Sequence, residues 1–240
     1  MMELENGQPS IERRPNFFVR LLRLLRKLIV FALLLVLIFA AFESTFFWEF
    51  SAKLFHGIDT VHSQYDVDND GIDDFTDIML AARRYIRTKP TYDASWSNGY
   101  PPADRGVCTD VIWYALGSAG YDFKALIDQD IRQNPNLYPD RANGSSKIDF
   151  RRVANLRVFF ERHTQKLTTD VMQVEQWQPG DIVFYAPSHV AIVSDRRNLL
   201  GQPWIIHLTS DGAMEEDNLD YSRIKDGSVV LTAHYRWILK

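Results

Sequence analysis

One cysteine, Cys108, stands in 240 residues, so no disulfide can form within the chain. There is no Cys-x-x-Cys and no pair of histidines four residues apart, so the common zinc spacings are missing and a zinc site has little to stand on. An excess of positive charge is missing too: 27 Lys and Arg face 31 Asp and Glu, for a net charge of −4, and nothing in that balance points to nucleic acid as a partner. Small residues in an A-x-A pattern do not follow the apolar N-terminal run, where Ala40-Ala41 leads into Phe42 and Glu43. That argues against a cleaved signal peptide. Charge itself is missing from Leu28 to Phe42.

The charge-free run, resumed at Phe46-Phe47-Trp48, reads as a transmembrane anchor over 28–50, since about 20 apolar residues suffice to cross a bilayer. Arg13, Arg14, Arg20, Arg23, Arg26 and Lys27 crowd one flank. They place a basic tail, 1–27, in the cytoplasm and set Trp48 near the opposite interface. A buried core helix is the plainer alternative, and the lopsided charge argues against it. The remaining chain, 46% hydrophobic overall, is long enough for one good-sized domain outside the cytoplasm.

A helical spacer, 51–65, leads to Asp66-Val67-Asp68-Asn69-Asp70-Gly71-Ile72-Asp73-Asp74-Phe75-Thr76-Asp77. Counted from Asp66, carboxylates fall at positions 1, 3, 5, 9 and 12 with Gly at 6, the oxygen-ligand spacing of a calcium loop. The expected ligands are Asp66, Asp68, Asp70, Asp74 and Asp77, with the carbonyl of Ile72, and the expected role is structural. Position 12 is Asp rather than Glu, and position 8 is the acidic Asp73, so the loop resembles dockerin or thrombospondin-type repeats more than a paired sensor. A solvated acidic turn capping the next helix is the alternative.

From 78 onward helices come first, expected at Ile78–Arg87, from Cys108 to Gly117 or Gly120, at Phe123–Gln133 and at about Arg151–Arg162. The period then shifts to strands, expected at Ile182–Tyr185, Val190–Ser194, Trp204–Leu208 and Val229–Ile238. Helices followed by an antiparallel sheet make an α+β domain over 78–240. Tyr92, Trp96 and Tyr100 lie in a proline-rich loop and are placed to line a groove.

Cys108 follows the turn-forming Tyr100-Pro101-Pro102-Ala103-Asp104-Arg105-Gly106 and opens an apolar helix. Free N–H groups and the positive helix end are expected to favour its thiolate and to hold an oxyanion. An inert buried cysteine is the alternative. A nucleophilic thiol needs a base held by a third polar group. His56 and His62 lie in the spacer, His163 ends a helix, and His234 is a brace on the closing strand. His189 opens one strand and His207 sits on the next, so an antiparallel pairing brings the imidazoles together. His189 is the expected base and His207 its orienting partner, with a core histidine as the alternative for His207. Asp110 is a candidate for a substrate amine or a helix-end charge. Arg151 and Arg152 are candidates for a substrate carboxylate, or for surface salt bridges to Asp149 or the Glu215–Asp217 run.

Trp177-Gln178-Pro179-Gly180-Asp181-Ile182-Val183 followed by His189-Val190-Ala191-Ile192-Val193 resembles the signature of NlpC/p60-like cysteine peptidases, with Cys108-Thr109-Asp110 where that superfamily has Cys-Ser-Gly. More narrowly, Gly106–Val111, Ile148–Leu156, Glu215-Glu216-Asp217 and Ala233-His234-Tyr235-Arg236 resemble the bacterial domain of unknown function 1287. The resemblance implies a papain-like fold, a Cys-His-polar triad of Cys108, His189 and His207, and cleavage of an amide bond, most often in cell-wall peptides. An inactive cell-wall-binding or scaffold module, and an acyltransferase on the same fold, are the other two readings. No organic cofactor is implied.

Overall fold

The computed structural model describes residues 17–42, 44–140 and 147–239. Arg13 and Arg14 of the basic tail lie outside the described residues. The chain divides into two compact units between Phe47 and Trp48. The N-terminal one is built from α1 (Phe17–Phe42) and the start of α2 (Thr45–His56). Among the described residues no helix is long and apolar enough to cross a membrane, and the stretch expected as an anchor, 28–50, falls on α1 and α2 as two separate helices. The charge-free run from Leu28 to Phe42 is fifteen residues, or about 22 Å of helix against a hydrocarbon core of about 30 Å, and a new helix starts at Thr45.

In the second unit, α3 (Asp74–Arg87) begins four residues earlier than periodicity suggested, because Asp73 caps it and accepts from the N–H groups of Phe75 and Thr76. After the short pair β1 (Thr91–Tyr92) and β2 (Arg105–Gly106) come α4 (Cys108–Ser118), α5 (Phe123–Gln133) and α6 (Val153–His163). The helix expected from Arg151 starts two residues later, behind a 3-10 turn at Asp149–Arg151. Six strands complete the unit: β3 (Gln165–Lys166), β4 (Ile182–Tyr185), β5 (His189–Arg197), β6 (Pro203–Thr209), β7 (Gly212–Glu216) and β8 (Leu231–Arg236), with α7 (Tyr221–Lys225) between the last two. They form one antiparallel sheet in the order β3-β8-β4-β5-β6-β7. The class is α+β.

Strand alternation sorts the apolar side chains onto two faces. Ile182, Phe184, Val190, Ile192, Ile206 and Leu208 join α3 to α6 in the main core, through Ile78, Val111, Ile112, Leu116, Phe123 and Phe160. Val183, Tyr185, Ala191, Val193 and Ile205 face the other way into a smaller cluster with Trp177, Leu219 and Val229. Covered on both sides, the central strands are apolar at nearly every position.

Two buried polar knots hold the layers together. In one, Asp181 of the Pro-Gly-Asp turn takes Arg236 Nε at 2.8 Å and His234 Nε2 at 3.0 Å, while Trp177 stacks on His234 at 3.9 Å. His234 thus braces the closing strand. In the other, Arg83 of α3 reaches Asp195 Oδ1 on β5 and Glu215 Oε1 on β7, each at 2.5 Å. Burial pushes the Glu215 carboxyl up, but the Arg83 guanidinium and the Ser194 hydroxyl outweigh it and hold it below its ordinary value. Glu215 therefore pairs with Arg83, not with Arg151 or Arg152. Arg83→Ala leaves two buried carboxylates unmatched and is expected to destabilise the unit by about 3–5 kcal/mol, read as a lower urea midpoint.

Candidate active site

Gly106 to Asp110 form a close-packed start to α4. Val107 caps the helix in extended conformation. Its N–H donates to Asp110 Oδ2 at 2.7 Å, and the Asp110 N–H returns a bond to the Val107 carbonyl at 3.0 Å. Arg151 then grips the same carboxylate, Nε to Oδ1 at 2.7 Å and Nη2 to Oδ2 at 2.8 Å. Its Nη1 donates to the Trp96 carbonyl at 2.7 Å, and its own carbonyl accepts from Thr109 Oγ1 at 3.0 Å. A Cβ at Gly106 would fall 2.5 Å from the Tyr85 hydroxyl and 3.0 Å from Asp110 Oδ2, so only glycine fits there.

This geometry corrects the expectation that Asp110 and Arg151 meet substrate. Both are buried, and each satisfies the other. Both arginines line a cavity of about 210 Å³ with Tyr92, Trp96, Cys108 and Ser188, but only Arg152 is exposed. Tyr100 does not line it but stacks on Trp113 at 4.6 Å.

Cys108 is the first residue of α4, and its side chain is 6% exposed. Burial pushes the thiol up to about 11, and the nearby Asp110 charge adds to that, while the backbone N–H groups of Val190, Thr109 and Cys108 itself pull weakly the other way. The expectation of a resting thiolate is corrected accordingly: at this helix end, desolvation outweighs the dipole.

His189 and His207 come together as the antiparallel pairing required. The register sets Ile192 opposite Ile206, so Ala191 faces His207 and His189 lies on the diagonal. His189 Nε2 is 2.9 Å from His207 Nδ1, and His207 Nε2 is 3.0 Å from Glu216 Oε1. Glu216 is the functional residue that sequence reasoning left out. A carboxylate there can only accept. His207 must then carry its proton on Nε2 and accept at Nδ1, which in turn makes His189 donate from Nε2 and leaves its Nδ1 with a free lone pair. Burial lowers both imidazoles to about 4, with the His207 charge adding to that at His189 and the Arg223 charge adding to it at His207, so both imidazoles are neutral at rest.

The thiol meets β5 one residue past His189 and is not bonded to the relay. Among the described residues no hydrogen bond joins Cys108 Sγ to His189, and the group beside the sulfur is the N–H of Val190, one residue on. Alternation puts Val190 toward α4 and His189 with Ala191 on the opposite face.

Residues 79–237 match the family described as Domain of unknown function (DUF1287). The chain belongs to the DUF1287 family. It is also 34% identical over 179 residues to the uncharacterized protein YijF of Escherichia coli (strain K12), an alignment covering 69% of this chain and 83% of YijF. The DUF1287 match takes in Cys108, His189, His207 and Glu216 and leaves the acidic loop before it.

Two outcomes are expected of the free protein. Alkylation of Cys108 is slow at pH 7 and accelerates only above the ordinary thiol value of 9, toward about 11; a plateau reached below pH 7 would mean a resting thiolate–imidazolium pair. The histidines have folded values near 4 against an ordinary 6.5. Their contribution to stability is therefore complete above pH 6.5 and is lost as the pH falls toward 4. Urea midpoints at pH 7 and pH 5 read that loss, and it should be absent from His189→Ala/His207→Ala.

Proposed function

We propose that this protein is a cysteine hydrolase that cleaves an amide bond of a peptide, with cell-wall peptides as the substrate class, on an NlpC/p60-like, papain-like fold. The observation that carries the reading is the Glu216–His207–His189 chain, which ends one residue before Val190, whose N–H reaches the thiol at the start of α4. Such a relay has no packing role that an apolar set would not fill as well, since replacing bonded polar partners by apolar groups of the same shape can be nearly neutral or stabilising.

The reaction follows from the resting charges. With thiol and imidazole both neutral, proton transfer belongs to the attack itself: as Cys108 Sγ bonds to the amide carbon, its proton passes to His189 Nδ1. The N–H groups at the start of α4 stabilise the oxygen that becomes negative. His189 then protonates the departing amine, and a water that gives its proton to His189 releases the acid and restores the thiol. His207 and Glu216 are positioning residues. They keep the imidazole in the tautomer that can accept. Arg152, exposed at the cavity, suits a substrate carboxylate.

The apolar side chains of α1 between Leu28 and Leu37 are exposed, and Arg23, Arg26 and Lys27 precede them. They support a reading in which α1 tethers the domain to the outer side of the cytoplasmic membrane, where cell-wall peptides lie. A second reading, a binding module without turnover, draws on the buried, high-pKa thiol and on the missing sulfur–imidazole bond.

Peptidoglycan fragments incubated with the full chain separate these readings. Turnover is expected for the native protein. It should be lost in Cys108→Ala, whose thermal midpoint should stay close to native, and reduced by a factor on the order of 10² to 10⁴ in His189→Ala. Glu216→Gln should lower kcat with little change in KM. Fragments bound but never cut by the native chain would favour the binding module, and acyl transfer to an added amine in place of hydrolysis would mark a transferase.

A further inference from the structure

The acidic loop before α3 takes no part in the chemistry above, and the structure divides its carboxylates into two groups. Asp73 and Asp74 are already engaged. Asp73 caps α3 and accepts from the Ser63 N–H at 2.8 Å. Asp74, 1% exposed, takes the Val67 N–H at 3.0 Å on one oxygen and the Tyr121 hydroxyl on the other. Its place in the expected ligand set is therefore corrected: it ties the loop to the segment after α4. Asp66, Asp68 and Asp70 form the second group, each offering an oxygen within 4.8 Å of the others. Asp77, one turn into α3, is 2% exposed, and its Oδ2 has no hydrogen-bond partner. A buried carboxylate oxygen left unmatched is costly. Its charged neighbours are Asp70, Asp68, Arg84 and Asp66, so three of the four are the carboxylates of the loop.

We propose that Asp66, Asp68, Asp70 and Asp77, with the main-chain carbonyl of Ile72, bind one calcium ion that fastens the loop to the helix pair carrying the nucleophile. The donors are all oxygen, with no imidazole or thiolate, which selects a hard cation. Calcium accepts an irregular shell of six to eight oxygens, whereas magnesium requires near-ideal octahedral geometry. The site lies at the far end of α4 from Cys108. Gly120, just past that helix, has a φ of +85°, and a Cβ there would fall 3.0 Å from Val67 and 3.1 Å from the Asp68 nitrogen, so the loop is packed directly on the helix end. Bound calcium removes the repulsion among four carboxylates and satisfies Asp77. Its effect is on the stability of the α3–α4 pair, and it does not depend on whether the protein is a hydrolase.

The test uses the full chain, stripped with EDTA and then titrated with calcium chloride. Unfolding is followed by scanning fluorimetry, and binding by terbium luminescence sensitised through the adjacent Tyr65. Calcium is expected to bind with a dissociation constant on the order of 10⁻⁴ to 10⁻³ M, to displace terbium, and at 10 mM to raise the midpoint by about 5 °C. Asp68→Asn, exposed and able to keep its bond from the Asp70 N–H, and Asp77→Asn should each weaken binding at least tenfold. No midpoint shift and no displaceable terbium signal would overturn the site. Unchanged affinity in Asp77→Asn would overturn this ligand set, and an equal shift with magnesium would overturn the assignment to calcium.

Discussion

The second unit depends on the ion pair between Asp110 and Arg151. A carboxylate and a guanidinium taken out of water each cost several kcal/mol unless geometry and hydrogen bonding match them fully, and here the match is complete. One carboxylate closes the start of α4, receives a bidentate guanidinium, and through Arg151 holds the Trp96 carbonyl that carries the cavity wall. The position of Cys108 follows from that pair. The thiol sits where it does because the residue two places on cannot be anywhere else. The same pairing explains how Cys-Thr-Asp tolerates a charge two residues after the thiol: that charge is spent inward.

A second constraint is the alternation of β-strands, which lets one short segment serve two unrelated ends. Glu215 and Glu216 are adjacent on β7, yet the first closes the Arg83 knot against the helices and the second ends the histidine relay on the other face. A one-residue slip would exchange them and destroy both. Register here is fixed by buried charge as well as by apolar pattern. The neutral state of the relay comes from the same source. Desolvation sets the resting charge of Cys108, His189 and His207 more strongly than neighbouring acids do, so the thiol and both imidazoles rest neutral.

Much of this was legible in the chain. The change of period from helical spacing to apolar runs gave an α+β unit with an antiparallel sheet, and a short connection between the strands of His189 and His207 put their side chains in contact. β7 was missed because Gly-Ala-Met-Glu-Glu has no apolar alternation: its side chains are polar for a reason that lies on other strands and on α3. Arg83 was missed because a basic residue on a helix is ordinarily solvated, and only its placement among the buried positions Ile78, Met79, Ala82 and Ile86 hinted otherwise. The thiolate expectation failed because a helix end is a local feature and burial is a property of the whole fold.

What the sequence determined by itself is the set of local tendencies: where helices and strands run, that the lone thiol opens a helix, that two histidines share a strand pair, and that acidic oxygens fall at metal spacing. Each of these rests on neighbours within about a dozen residues. The tertiary structure alone decided which charges face inward. It gave Asp110 to Arg151, Glu215 to Arg83, Glu216 to His207 and Asp74 to Tyr121, and among the described residues it left Asp77 Oδ2 without a hydrogen-bond partner. Ion-pair choice depends on distance and desolvation between segments far apart in the chain, and neither quantity exists until the chain has folded.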